Sequence, residues 1–499
     1  MSKLDSLIVL INSMDSADKR YFGLHSQIYD GEKDYQLLYQ IIQKSTFDAG
    51  AVKNEFKKQR PKTSFEIICN HLYQVLLEKL TAKDTETEIE FQVLKAYQQA
   101  RFLFKRNLCD ESLQLIKKFK PIALEYELFS HFLLLAKLEI RVYNQLEFDQ
   151  IDEDMLVKKQ SKIESISRQQ RAIENHTGLY NLISLRQIKQ GQVRNEAEKT
   201  KLNDLAFNEL QAISGQSKDS FEAQKLHLLF QSAYFMKTAN PKSSLKVYRD
   251  LNELFENNRK LWGNPPYFYL NHIRGILNNL RWFGFYDEMP YFIDKLKNLL
   301  TEHPSAVATI KPLIFIFESL ILTDQHLFQE ALNHLVKTRN DPSDKPISLT
   351  FATHSEIAMQ TATVYFWNED YRQALKILRP VLNVGKPFSQ LPQTKSVRFL
   401  NILIHAELND FEYLESEIRS FERDQKMRNK LFQSEKIILK SIRLIANKTD
   451  KSKCLKELQK QKDLLIKLKD DPFERQLLNS FDFIFWLEKK VEIRNTLAP

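Results

Sequence analysis

The sequence predicts an all-α chain: a right-handed α-α solenoid of stacked helical hairpins, closed at its N-terminus by a helical cap. Three observations lead there. Gly is 10 of 499 residues, about 2 % against a usual ~7 %, which leaves few means of building the φ > 0 turns of β-hairpins, phosphate cradles and tight βα connections. Apolar residues recur at three- and four-residue spacing along most of the chain. Small or apolar positions also recur at steps near forty residues, as in a repeat array. The apolar fraction of 43 % and charged fraction of 27 % belong to a folded chain.

Residues 1–80 read as the cap. A helix over 17–29 follows Asp15 and Ser16, either of which can accept from the free amides of a first turn. Helices over 35–44 and 49–59 come next, and Pro61 ends that run. Thr63-Ser64-Phe65-Glu66 predicts a capping box for the following helix, on which Phe65, Ile68, Leu72, Leu76 and Leu80 form one stripe. The polar stretch 81–88 is the expected boundary with a solenoid spanning 81–490.

Within the solenoid, Tyr365 lies nine residues before Ala374, and Leu378 follows four later. That spacing fits two antiparallel helices whose closest approach is at the small residue, with large side chains filling the groove around it. Anchored on Ala374, equivalent positions fall at Ser244, Met289, Ala331 and Leu414, in steps of 45, 42, 43 and 40, with Ser112 further upstream. Between 151 and 213 a long polar helix, about 157–190, has no evident register.

Ala358, Ala362, Tyr365, Ala374, Leu378 and Val381 resemble six signature positions of the tetratricopeptide (TPR) family, whose Trp and central Gly are missing here. The likeness is strongest over 267–425. The steps are longer than the 34 residues of a strict TPR and nearer the 40–47 of HEAT or armadillo arrays. Ser16-Ala-Asp-Lys-Arg-Tyr-Phe22 and Asn70-His-Leu-Tyr-Gln-Val-Leu-Leu77 resemble the start of an uncharacterised family of bacterial TPR-like proteins. That likeness implies a helical-repeat fold and no known activity.

Enzymatic chemistry finds little purchase. The closest glycines, Gly23 and Gly31, are eight apart, so a GxGxxG loop, a Walker A loop and a GxSxG elbow are all impossible. Gly385-Lys386 lacks the upstream glycine. His354-Ser-Glu356 and His405-Ala-Glu407 mimic half of a zinc-deaminase motif without its Pro-Cys-x-x-Cys. Asp149-Gln-Ile-Asp152-Glu-Asp154 lacks the Gly and final Glu of a calcium loop and reads as a turn or helix start. No catalytic residue, metal or cofactor is expected. Three scattered cysteines (Cys69, Cys109, Cys454) make no disulfide framework. No signal-like apolar run opens the chain, and the apolar stretch 313–322 is too short for a membrane span. A cytoplasmic protein is the expectation.

Partner binding has three candidate places. Residues 262–292 hold ten aromatics: Trp262, Tyr267, Phe268, Tyr269, Trp282, Phe283, Phe285, Tyr286, Tyr291 and Phe292. The resemblance to TPR proteins implies that Asn271, Arg274, Asn278, Arg281 and Trp282 line an inner groove. There Arg274 and Asn278, four apart, would hold a peptide carboxylate, although the next helix, near 313–320, is too apolar to complete a clamp. Packing between repeats is the competing role for these aromatics. The net charge of +9 equals the surplus of 419–470, with 16 Lys/Arg against 7 Asp/Glu; 158–201 carries 10 against 4. Such basic stretches are solvated helix faces or phosphate-binding surfaces. Lys53, Lys57, Lys58, Arg60 and Lys62 occupy the place of contacts in a helix-turn-helix. A non-catalytic scaffold or adaptor, holding a peptide or helix in the groove, is the leading expectation. A nucleic-acid-associated regulator is the alternative, and a helical enzyme with an unidentified site the third.

Overall fold

A computed structural model describes the chain except residues 1, 15, 27–33, 45–48, 191–192, 194, 215–219, 239, 264–265, 304–305, 340–349, 384–391, 427–431, 447–450, 472 and 497–499. Asp15, Tyr29, Gly31 and Gly385-Lys386 lie outside the described residues. No strand occurs among those described.

Five helices come first: α1 (Lys3–Ser13), α2 (Ser16–Ser26), α3 (Asp34–Lys44), α4 (Ala49–Gln59) and α5 (Phe65–Thr87). The first four all touch α5, because its stripe is the common seam. Leu72 and Leu76 are buried with Leu7, Leu38, Val52 and Phe56, while Ile68 and Leu80 flank that core. One expectation fails here. Ser64 makes no side-chain cap; Thr63 donates instead to Asp34 (3.3 Å) and Glu66 pairs with Lys53 (3.0 Å), so both halves of the box are engaged elsewhere. Most of the polar stretch 81–88 continues α5. The hydroxyls of Thr81, Thr85 and Thr87 bond back to carbonyls four residues earlier, and the helix breaks only at Glu88, whose backbone is extended. A capping box does form at Ser2 and Asp5.

Hairpins follow: α6 (Ile89–Phe104) with α7 (Cys109–Glu125), then α8 (Phe129–Gln145) with α9 (Glu153–Gln190). Short α10 (Glu196–Thr200) and α11 (Asn203–Ser214) lead to α12 (Phe221–Lys237) and α13 (Pro241–Asn257). Next come α14 (Tyr267–Phe283) with α15 (Met289–Glu302), and α16 (Val307–Asp324) with α17 (Phe328–Arg339). The series continues through α18 (Phe351–Trp367) with α19 (Tyr371–Leu382), α20 (Pro392–Glu407) with α21 (Phe411–Lys426), and α22 (Gln433–Ala446) with α23 (Lys451–Leu468). Short α24 (Arg475–Leu478) and α25 (Phe483–Thr496) finish the chain.

Neighbours in sequence are neighbours in space, and the first helices stack directly: α6 on α8, and α14, α16, α18, α20 and α22 in succession. This is the packing of an α-solenoid, in which no hairpin buries its apolar face alone. Ion pairs span the same step: Arg259–Glu302 and Arg281–Asp324 each join residues 43 apart.

Ser112, Ser244, Met289, Ala331, Ala374 and Leu414 are all buried, and all but Met289 are the fourth residue of a second helix. Cys454, fourth in α23 and also buried, extends the series. Ser112 Oγ donates to the Ala100 carbonyl (2.9 Å) and Cys454 Sγ to that of Leu444 (3.3 Å), so at these two crossings the facing helix satisfies the small polar group, whereas the buried Ser244 hydroxyl has no partner. Long α9 breaks the register because it packs on three helices, α8, α11 and α12. Asp152 caps its start, Ile166 joins the core with α8, and Leu179 and Ile183 pack with Leu202, Leu205 and Phe230.

Glycine scarcity does not keep φ > 0 out of the turns. Asn107, His326, Glu369 and Asn409 adopt the left-handed conformation with φ of 57–63°, as Gly284 does at 74°. Each precedes its buried anchor by five residues. The next residue's amide closes the helix end in the pattern of a Schellman motif, as in Leu327 N to Leu322 O (2.9 Å) and Asp370 N to Tyr365 O (3.0 Å). The turn is imposed by docking of the second helix, which offsets the ~1 kcal/mol a side chain costs there.

Candidate partner-binding face

Stacking of the first helices brings α14, α16, α18 and α20 together around a cavity of about 200 Å³. Arg274, Asn278 and Arg281 of α14 line it, one turn apart. Leu313, Ile316, Phe317 and Leu320 of α16 form its apolar wall, and Ser355, Glu356, Met359 and Gln360 of α18 and Ser396 of α20 face them. Three of the five residues singled out from the sequence therefore converge. Asn271 is exposed outside this cavity, and Trp282 lines a neighbouring one of about 580 Å³ with Arg281, Phe283, Tyr286, Asp324 and His326.

The charges are not arranged as a carboxylate clamp. Arg274 pairs with Glu356 across the cavity, and Asn278 spends its amide on the Arg274 carbonyl (2.9 Å). Arg281 holds Asp324 through two bonds (2.6 and 2.9 Å), and Tyr286 donates to the same carboxylate (3.1 Å). Burial alone would lower the Arg281 pKa, but Asp324 more than offsets it and the net shift is upward. Burial and Asp324 push the Tyr286 hydroxyl up to about 12. Chain carboxylates thus already satisfy both guanidiniums, and what the face offers a partner is a mixed polar rim beside an apolar wall. Between α16 and α18, Gln360 donates to Ser319 (3.0 Å) and Thr323 (3.3 Å), all three buried.

The aromatics of 262–292 divide between core and surface. Tyr269 and Phe292 are buried; Trp262 stacks on Tyr269 at 3.9 Å and donates to the Phe255 carbonyl (2.6 Å). Tyr267, Phe268, Phe285 and Tyr291 stay exposed, with Lys225 over the Phe268 ring (4.1 Å).

The chain's own C-terminal segment borders this face. Ser480 closes the first cavity and Leu478, Asn479, Phe481, Asp482 and Phe485 wall the second. Phe481 stacks on Trp367 (4.9 Å), Phe485 on His326 (3.9 Å), and Asp482 meets His326 Nε2 (3.1 Å). Trp486 donates to Glu407 (2.7 Å), and Glu474 accepts from the amides of Gln433 and Ser434 (both 2.8 Å). Phe481, Phe483, Phe485 and Trp486 within six residues were the only available signal.

A larger cleft of about 900 Å³ opens between α15, α16 and α17, floored by Ile293, Leu300, Ile314, Phe315 and Leu322. Lys297 on its rim is engaged by Asp294 and Glu318, and Lys311, His334 and Lys337 also line it. In the basic C-terminal region Arg419, Lys440 and Arg443 pair with Glu415, Glu457 and Glu422. Lys453, Lys456, Lys460 and Lys467 lie exposed along one face of α23. In the N-terminal bundle Lys53, Lys58 and Arg60 pair with Glu66, Glu55 and Asp34.

Among the described residues no group of three or more His, Cys, Asp or Glu side chains is placed to hold a metal ion, and no helix is long and apolar enough to cross a membrane. A scan against protein-family models finds no match, and a search of the curated proteins finds no significant one.

Proposed function

We propose that the chain is a non-catalytic interaction scaffold, a right-handed TPR-like solenoid capped by α1–α5, that takes a peptide or helix on the face of its first helices. One observation carries this reading: four stacked helices put Arg274, Asn278, Arg281, Ser355 and Glu356 on one rim beside the apolar wall of α16. A groove with an apolar wall and a few fixed polar groups suits an extended or helical segment, the groups setting orientation and register. Since Arg274 and Arg281 hold chain carboxylates, the partner is read through exchange of these hydrogen bonds.

The test compares the full chain with an Arg274→Ala/Asn278→Ala variant, using as bait and prey a partner first identified by cross-linking in the native host. The variant retains helix content and loses at least tenfold in affinity. Unchanged affinity overturns the groove reading. A second reading, contact with a phosphate backbone, draws on the four exposed lysines along α23. It requires duplex or single-strand binding at low salt that falls steeply as salt rises, and no binding at low salt retires it.

A further inference from the structure

Residues 313–322 of α16 are apolar except for Glu318 and Ser319, and they use more than one face. Ile310, Leu313 and Phe317 are buried with α14 and α15, and Phe315 and Ile316 with Ala331 and Leu335 of α17 and Val364 of α18. Ile314, Ile321 and Leu322 are only partly covered. With Ile293 and Leu300 of α15 they line the cleft of about 900 Å³ that opens between α15 and α17. A helix apolar all round is ordinarily enclosed all round, and here one side of it floors an open trough. The lining carries three lysines, Lys297, Lys311 and Lys337, against two carboxylates, Asp294 and Glu318. Lys297 engages both carboxylates (3.4 and 2.8 Å). His334 lies 3.6 Å from Glu318, and burial holds its pKa below the usual value, so it is neutral at pH 7. The surplus of the lining is therefore positive. Lys337 is exposed and, among the described residues, has no acidic partner.

We propose that this trough is a docking site for an amphipathic helix of a partner protein, apolar along one side and acidic in its first turn. It shares no lining residue with the cavity of the first-helix face and does not depend on the reading given above for that face. Three arguments fix the occupant. The walls are helices whose backbone is bonded within itself, so the trough offers side chains and no strand edge, which suits a segment that brings its own backbone bonds. From Lys311 to Leu322 the floor runs roughly 16 Å, at ~1.5 Å per residue, which matches three helical turns with apolar anchors at i, i+3 or i+4, and i+7. Finally, α15 and α17 run antiparallel to α16, so Lys311 and Lys337 lie towards the end where those two helices finish, and Ile321 and Leu322 towards the other. A helix laid parallel to α16 sets its acidic first turn on those lysines. Its N-terminus then meets the C-termini of α15 and α17, where the helix dipoles attract.

The test selects a displayed library of amphipathic helices on the full chain. The peptides have about 14 residues, enough for three turns and their ends, and their first turn is randomised. Selection enriches Asp or Glu in that turn. The leading peptide, made synthetically, binds the chain at least tenfold more tightly than the same peptide with lysines in place of its acids. A Lys311→Glu/Lys337→Glu variant, its fold checked by circular dichroism, loses the acidic peptide by at least tenfold and gains the lysine form. Lys337→Glu alone, at an exposed position, gives the same exchange to a smaller extent and decides the matter if the double variant fails to fold. No enrichment of acids, or affinities that ignore the exchange of charge, overturns the proposal. Palmitate bound through the same lysines with no peptide enriched also overturns it, as does self-association of the chain that the double variant abolishes: the occupant is then an acyl chain or a second copy. The Arg274→Ala/Asn278→Ala variant binds the acidic peptide as tightly as the parent chain. Loss of binding there moves the peptide to the first-helix face, which removes the trough and leaves the scaffold reading standing.

Discussion

Ala374 and Ser244 hold the same place in the repeat, each the fourth residue of a second helix and each without exposed surface, yet the seams around them differ in the polar groups they bury. Between α18 and α19 the contact is apolar throughout, with Ala358, Ala362, Phe366, Leu378 and Val381 buried in one cluster. Between α13 and α14 Leu251, Phe255, Ile273 and Ile276 also pack in one buried cluster, but polar side chains are buried beside them. His272 and Asn279 are fully buried, His272 Nε2 donates to Asn252 (3.3 Å), and Asn279 donates to the Gly275 carbonyl (2.9 Å). Gly275 is required there, since a Cβ would stand 2.3 Å from the Tyr248 ring. Close approach of two helices asks only for a small group at the crossing. Whether the surroundings are apolar or polar decides how the seam responds to mutation and to acid.

Breaking the apolar seam has the largest expected effect. Leu378→Ala removes a fully buried side chain and costs about 2–5 kcal/mol, read by denaturant unfolding and nearly constant between pH 5 and 8 because no titrating group shares the seam. The polar seam responds to acid instead. Burial holds the His272 pKa down at about 3, and protonating its inward nitrogen, which has no partner, would bury an uncompensated charge. The unfolded chain takes up a proton near pH 6.5 and the folded chain does not. This contribution is therefore complete above pH 6.5 and declines on acidification towards pH 3, at no more than about 1.4 kcal/mol per pH unit. His272→Gln flattens that part of the pH profile; an unchanged slope refutes the assignment. The smallest effect sharpens the comparison at the turns. Glu369→Gly relieves a left-handed side chain (φ 63°) and stabilises by up to about 1 kcal/mol, whereas Gly284→Ala (φ 74°) destabilises by a similar amount. Paired thermal melts check both.

The anchors were legible because burial at a helix crossing limits residue size, and size is written in the sequence. Ser112 through Leu414 could be lined up on that ground alone, although Cys454 was overlooked because its sulfur was weighed as chemistry and not as volume. The turns were misjudged. Counting glycines assumes that local preference governs, whereas docking of the second helix supplies enough energy to hold Asn, His and Glu at φ > 0. The resemblance to TPR proteins grouped Arg274, Asn278 and Arg281, and these three line one cavity. Their partners, Glu356 and Asp324, lie 82 and 43 residues away, beyond what helix periodicity relates.

The sequence by itself determined that this chain is helical, where most helices lie, and which small residues sit at their crossings, because these follow from periodicity and volume within one hairpin. Only the tertiary structure decided which charges neutralise one another, that α9 packs on three other helices, and that residues 478–485 line a cavity beside the end of α14. Those outcomes depend on how successive hairpins turn the chain back upon itself, and small rotations summed over many repeats leave no local trace in the order of amino acids.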